Sequence, residues 1–274
     1  MRISAIILLL LSCFGRAETI AQNLLQEPRK IVIDRKHKRL LISNYLSGDI
    51  VQVDENDRQS FFVRNAGFME GMELVGDTLY GIAGSRRIRA YDLNTRQMVL
   101  DTMIPGSPND ELKNIIYDSA GHFFISCPDE NSIYRMPVSG DTAWVFVKDH
   151  GLIKPNGMCL ERKRNRLLTI QESLYASVYA VSLSDSSVKK VGNTDFKAPS
   201  SIVVANNGRY YLSGYYMRGI FELDLGSTSS EDPEFSVFGA YYLTYDNINN
   251  CLLYTLPSSN RWVRLSLDPR DPNR

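Results

Sequence analysis

The chain repeats itself six times. Leu41-Ile-Ser-Asn44, Tyr80-Gly-Ile-Ala83, Phe124-Ile-Ser-Cys127, Leu168-Thr-Ile-Gln171, Leu212-Ser-Gly-Tyr215 and Tyr254-Thr-Leu-Pro257 recur with anchors 39, 44, 44, 44 and 42 residues apart. A unit of that length matches one four-stranded propeller blade, which buries its faces only by stacking on neighbours in a ring. Each tetrapeptide follows an apolar strand and a polar turn, and precedes another apolar strand such as Ile50-Val-Gln-Val53, Ile88-Arg-Ala-Tyr91 or Ile220-Phe-Glu-Leu223. The repeats use nearly all of the 274 residues, so the pattern predicts an all-β chain forming one six-bladed β-propeller.

The turns agree with this. Gly76-Asp77, Asp118-Ser-Ala-Gly121 and Ala205-Asn-Asn-Gly208 supply the Gly, Asn and Asp that reverse a chain between strands. The last repeat offers an inner strand at Tyr241 to Tyr245, a second at Cys251 to Leu256 and a third at Trp262 to Leu267, then stops. The segment Glu18 to Leu24 is expected to supply its missing fourth strand and close the ring, because an open sheet edge invites mispairing.

Residues Ile3 to Leu11 form an apolar run behind Arg2, too short for a membrane span and followed by small residues at Gly15 and Ala17. This reads as a secretory leader over residues 1–17, before a propeller at 18–267 and a polar tail at 268–274. Two processing routes stay open: cleavage after Ala17, or lipid attachment at Cys13 within Leu10-Leu11-Ser12-Cys13. The expected product is a monomer in the periplasm or outside the cell, with no transmembrane span. A net charge of zero argues against nucleic acid as a partner, and the basic turns Arg35 to Arg39 and Arg162 to Arg166 are expected to face water. Beyond the leader Cys127, Cys159 and Cys251 are an odd set in three repeats, which predicts buried thiols.

Chemistry in such a ring belongs to the loops at one end of the channel, where the loops entering the inner strands and those joining second to third strands emerge together. Those loops carry Glu27, Glu70, Lys113, Asn114, Asp129, Asn156, Glu172, Ser200 and Ser201. They also carry Tyr45, Tyr175, Tyr215, Tyr216, Tyr241 and Tyr242, candidates for stacking on a small organic or sugar-like ligand. Oxygen donors at the narrow end of a channel suit a divalent cation, calcium or zinc.

Lys154-Pro155-Asn156-Gly157-Met158 resembles the blade entry of the regucalcin and gluconolactonase family of six-bladed propellers. Asp118-Ser-Ala-Gly121 and Gln26-Glu27-Pro28 match that family more loosely, and NHL-repeat and strictosidine-synthase-like propellers share much of the pattern. The resemblance implies a central metal with Asn156, Glu27 and Asn114 as ligands, and hydrolysis of a sugar lactone. Two departures stand against that chemistry. Pro199-Ser200-Ser201 stands where the family has Pro-Asp-Gly, whose aspartate is both ligand and base, and Lys113 or Asn114 falls where it has Asn-Asp-Gly. The expectation is an exported ligand-binding or interaction propeller with a degenerate metal site. The alternatives are a divalent-metal-dependent hydrolase with Asp129 or Glu70 as its base, and a purely protein-binding scaffold.

Overall fold

Every one of the six tetrapeptides begins on the second strand of an antiparallel sheet, four lying wholly within it and the last two running past its end, and the sheets follow one another around an axis. The computed structural model describes residues 23–194, 196, 198–225 and 233–268. Blade one contains β1 (Pro28–Asp34), β2 (Arg39–Asn44), β3 (Ile50–Asp54) and β4 (Gln59–Val63), and blade two β5 (Met69–Val75), β6 (Thr78–Ala83), β7 (Arg87–Asp92) and β8 (Met98–Met103). Blade three has β9 (Ile115–Tyr117), β10 (His122–Cys127), β11 (Ser132–Pro137) and β12 (Trp144–Lys148). Blade four has β13 (Pro155–Glu161), β14 (Arg166–Gln171), β15 (Ser177–Ser182) and β16 (Val188–Asn193). Blade five has β17 (Ser201–Val204), β18 (Tyr210–Ser213), β19 (Gly219–Leu223) and β20 (Phe235–Ser236), and blade six β21 (Leu243–Asp246), β22 (Cys251–Leu256) and β23 (Arg261–Ser266). Strands pair in chain order, with four per sheet in blades one to five and three among the described residues of blade six.

The second strands read apolar on both faces because each is sandwiched between blades. The apolar interior is divided into six clusters, one per seam. Ile31, Ile42 and Val51 of blade one meet Cys251 and Leu253 of blade six, so the ring is closed by packing as well as by order. Ser43, Ser126, Ser213 and Thr255 occupy matching positions on the second strands, all wholly buried. Ser126 Oγ donates to Asn156 O (2.8 Å), Ser213 Oγ to Tyr241 O (2.8 Å) and Thr255 Oγ1 to Arg29 O (2.7 Å). The hydroxyl of one blade thus satisfies a carbonyl at the inner-strand entry of the next, and the last of these bonds joins blade six to blade one.

The expected closing strand at 18–24 lies outside the described residues as far as residue 22, as do the leader at 1–17 and Cys13. At the described edge, Asn23 Nδ2 donates to Asn260 O (2.8 Å) and the Glu27 amide to Asn260 Oδ1 (2.8 Å), so the chain enters the ring beside the start of β23. The basic turns differ from the expectation of solvated charge. Asp34, buried at the end of β1, accepts from Arg39 Nε and contacts His37 Nδ1 (both 2.8 Å), and Glu161 at the end of β13 holds Arg164 (3.0 Å) and Arg166 (2.5 Å). A buried carboxylate needs such donors, and only part of each basic run is left to solvent. Cys127, Cys159 and Cys251 are buried free thiols. No helix of the described residues is long and apolar enough to cross a membrane.

Candidate functional site

The inner strands of blades one, two and four carry a β-bulge at the same place. Pro28 pairs with Asn44 and Ile31 with Ile42, Met69 with Ala83 and Met72 with Gly81, and Pro155 with Gln171 and Met158 with Thr169, leaving one extra inner-strand residue each time. A bulge re-aims side chains. The positions concerned are Arg29, Glu70 and Asn156, and with the matching Lys113, Ser200 and Tyr241 they give one residue per blade at the neck of the channel.

The pit is a compact charge network. Arg29 is held between two rings, its guanidinium carbon 4.4 Å from the Tyr45 centroid and 4.5 Å from that of Tyr241. Lys113 Nζ contacts Glu111 Oε2 at 2.5 Å. Burial alone would lower the Lys113 ammonium, but Glu70 and Glu111 outweigh it and hold it above the ordinary lysine range. Burial pushes the Glu70 carboxyl up, opposed by Lys113 and Arg29. Asn156 Nδ2 donates to Glu172 Oε2 at 3.4 Å. Arg29 Nε, Glu70 Oε2 and Asn156 Oδ1 are buried without a hydrogen-bond partner. Three orphaned polar atoms, one at each of the three bulges, mark a place prepared for something else to bind.

Blade three delivers Lys113 through a buttressed loop. Arg86, 1% exposed, donates Nε to Ile104 O (3.1 Å) and Nη2 to Pro105 O, while its Nη1 meets Glu130 Oε1 (3.1 Å), and the other oxygen of that carboxylate, Oε2, accepts the Tyr134 hydroxyl. Asp129, exposed on the same rim, accepts the Glu111 amide (2.9 Å) and so shapes the loop from outside the pit.

The six tyrosines named from the sequence divide into three groups. Tyr45, Tyr215 and Tyr241 are half-buried around the pit, with the rings of Tyr215 and Tyr241 6.1 Å apart, edge to face. Tyr175 and Tyr216 stand outward, 75% and 68% exposed. Tyr242 is wholly buried and donates its hydroxyl to Lys113 O (3.2 Å), from blade six to the opposite blade three. It crosses the axis and stoppers the channel. The mouth above it leaves a 130 Å³ side cavity between Tyr45, Phe68, Glu70 and Glu111.

No protein-family model and no curated protein sequence matches the chain. A gluconolactonase from Xanthomonas campestris superimposes with a TM-score of 0.71 at 14% identity, over 89% of this chain and 87% of that one. The chain has the fold of the gluconolactonase-type six-bladed propellers. Other superpositions reach a virginiamycin B lyase from Staphylococcus aureus solved with quinupristin (TM-score 0.65, 11% identity, 88% of this chain and 80% of that one) and a chain of the nidogen/laminin complex (0.63, 13%, 83% and 93%).

The metal set implied by that resemblance fits these residues poorly. Among the described residues no group of three His, Cys, Asp or Glu side chains is placed to share an ion. Glu27 has a left-handed backbone (φ 48°), and its carboxylate is 3.7 Å from Arg29 Nη2. Asn114 is buried beneath the neck, its amide on Ser126 Oγ (3.0 Å). Asn156 alone of the three presents a free oxygen at the pit, where Arg29 and Lys113 already supply the positive charge that faces Glu70. Arg29 was missed in the sequence. Its signal was positional, since Arg29, Glu70, Lys113, Asn156, Ser200 and Tyr241 recur at nearly the blade spacing.

Proposed function

We propose that this chain is an exported binding propeller that takes its ligand at the mouth of the channel and does not carry out metal-assisted lactone hydrolysis. The observation that carries the reading is the neck layer, where Arg29 and Lys113 flank Glu70 and a serine, Ser200, stands at the fifth position. A cation supplied by side chains takes the electrostatic place of a bound metal, and water gains no Lewis acid from an ammonium. The pit offers Arg29 and Lys113 to an anionic group, Glu70, Glu172 and Asn156 Oδ1 to hydroxyl or amide donors, and Tyr45, Tyr215 and Tyr241 to a flat face. An acidic sugar combines all three.

The test is direct. Purified protein is expected to hold no stoichiometric calcium or zinc and to leave gluconolactone unhydrolysed with either ion added, while D-glucuronate binds and Lys113→Met weakens it about tenfold or more. Stoichiometric metal that disappears in Asn156→Ala together with lactone hydrolysis would sink this reading in favour of the hydrolase.

A second reading rests on a separate observation. Leu46, Phe68, Leu174, Tyr175, Tyr216 and Phe238 are each more than half exposed on the loops around the mouth, whereas on the opposite face Ile248 alone among the described large apolar side chains is so exposed. A collar of this kind suits a protein partner that covers the mouth.

A further inference from the structure

Below the Tyr242 stopper the channel opens again, on the face of the turns that join inner to second strands. The cavity there measures 390 Å³ and takes lining residues from all six blades, among them Lys30, Glu73, Ile115, Met158, Ile202 and Leu243. Its volume is three times that of the side cavity at the mouth (130 Å³), and it is within the range of small-molecule sites. Because Tyr242 is wholly buried across the axis, the two ends are separate compartments.

We infer that this end of the channel is a second binding site, for a small organic acid with an apolar body. The polar lining decides the chemistry. Four of the hydroxyl and amide side chains in the lining already bond to the protein: Thr244 Oγ1 donates to Ile31 O (2.6 Å), Ser201 Oγ accepts the Leu243 amide (3.0 Å), Asn206 Nδ2 donates to Asn247 O (2.9 Å) and the Tyr245 hydroxyl donates to Asn250 Oδ1 (2.9 Å). The charged groups keep free valences. Lys30 Nζ donates to Leu243 O (3.2 Å), and its remaining N–H groups are left for the cavity and Glu73. Arg162, on an exposed turn at the rim, is anchored through Nη1 to Asp118 O (2.8 Å) and leaves the rest of its guanidinium fork open. Lys30 and Arg162 against Glu73 leave one positive charge over, which a single carboxylate balances. The half-buried Ile116, Leu160, Val203 and Val204 of the same lining accept the apolar body.

The site has a built-in pH response. Glu73 faces Lys30 from β1, Arg162 from the turn after β13 and the backbone amides of Leu74 and of Tyr117 from β9. Burial pushes its carboxyl up to about 6, and burial also lowers Lys30. Protonating Glu73 removes the counter-charge beside Lys30, so an anion binds more tightly as pH falls through this value.

Benzoate titrated into the intact protein by calorimetry tests the site independently of the mouth. The expected Kd is on the order of 1 mM or tighter, and tighter by about threefold or more at about pH 5.5 than at about pH 8. Arg162→Ala, on its exposed turn, and the neutralised pair Lys30→Met/Glu73→Gln are each expected to weaken binding about tenfold, while Lys113→Met in the mouth leaves it unchanged. Absence of saturation at about 10 mM, affinity indifferent to both lower-channel variants, or loss of binding in Lys113→Met alone would each overturn the assignment.

Discussion

A methyl group at position 157 would touch the backbone of the next blade. An ideal Cβ there lies 2.5 Å from Ser200 O and 2.9 Å from Ser201 Cα, atoms that belong to strand entries and cannot rotate aside. The Asn-Gly pair of blade four therefore has two separable jobs: Asn156 presents an oxygen, and Gly157 lets two blades approach. Gly157→Ala is expected to cost about 1–3 kcal/mol in urea unfolding, as overpacking of a tight interior does. An unchanged midpoint would show that the entry strands can move apart. At this scale the sequence was legible where a residue type had few uses. Asn156 and Glu70 stood out as polar groups before an apolar strand, whereas Arg29 read as one more cation in Glu27-Pro-Arg-Lys30. Only its bulge and its place between Tyr45 and Tyr241 show that it enters the pit. Tyrosines were ambiguous for a physical reason: adjacent residues in extended chain point opposite ways, so Tyr241 reaches the pit and Tyr242 the axis, and letters alone do not say which.

Strands were the most readable level, because a strand packed on both faces must be apolar throughout and its turns must be polar. Observed bounds differ from the expected ones by a residue or two, as for the third strand of the last repeat, expected at Trp262 to Leu267 and found at Arg261–Ser266. The bulges in the inner strands of blades one, two and four are what no hydrophobic period reveals. Blade six has its own consequence. The outer edge of β23 has no partner strand among the described residues, and Asn23 meets Asn260 at the end of that edge. Removing residues 18–24 is expected to lower the thermal midpoint by several degrees, because it takes away the Asn23 bond to Asn260 and the Leu24 bonds to Gln59 and Asn44. A midpoint equal to that of the full chain would mean that blade six stands with three strands.

The whole ring is held by repeated seams, and its acid stability follows from carboxylates at their lower ends. Asp246 illustrates the sign. Its burial would raise the carboxyl, but Arg35 (2.7 Å), Asn249 and the amides of Ile248 and Asn249 bring it down to about 2. A group depressed on folding stabilises fully above its unfolded value of 3.8, and that contribution disappears as pH falls toward 2. The Asp246 interactions are therefore worth about 2 kcal/mol near neutrality. Asp246→Asn should lose about this much in urea unfolding at pH 7, and its deficit against the parent should shrink at pH 3. A deficit independent of pH would assign the loss to packing. Asp34 is depressed in the same manner, its burial outweighed by Arg39 and His37, so the parent chain should itself weaken over this range.

The hydrogen bond from Thr255 to the Arg29 carbonyl is of the same kind as those from Ser126 and Ser213 at the interior seams. The junction between the last blade and the first thus carries the same bond as two of the interior seams, and that bond does not depend on where the polypeptide begins. Chain order and spatial order are separable in such an object. A circular permutant opened between blades three and four, its native ends bridged by a flexible linker, would meet the same six neighbours in the same sequence around the axis.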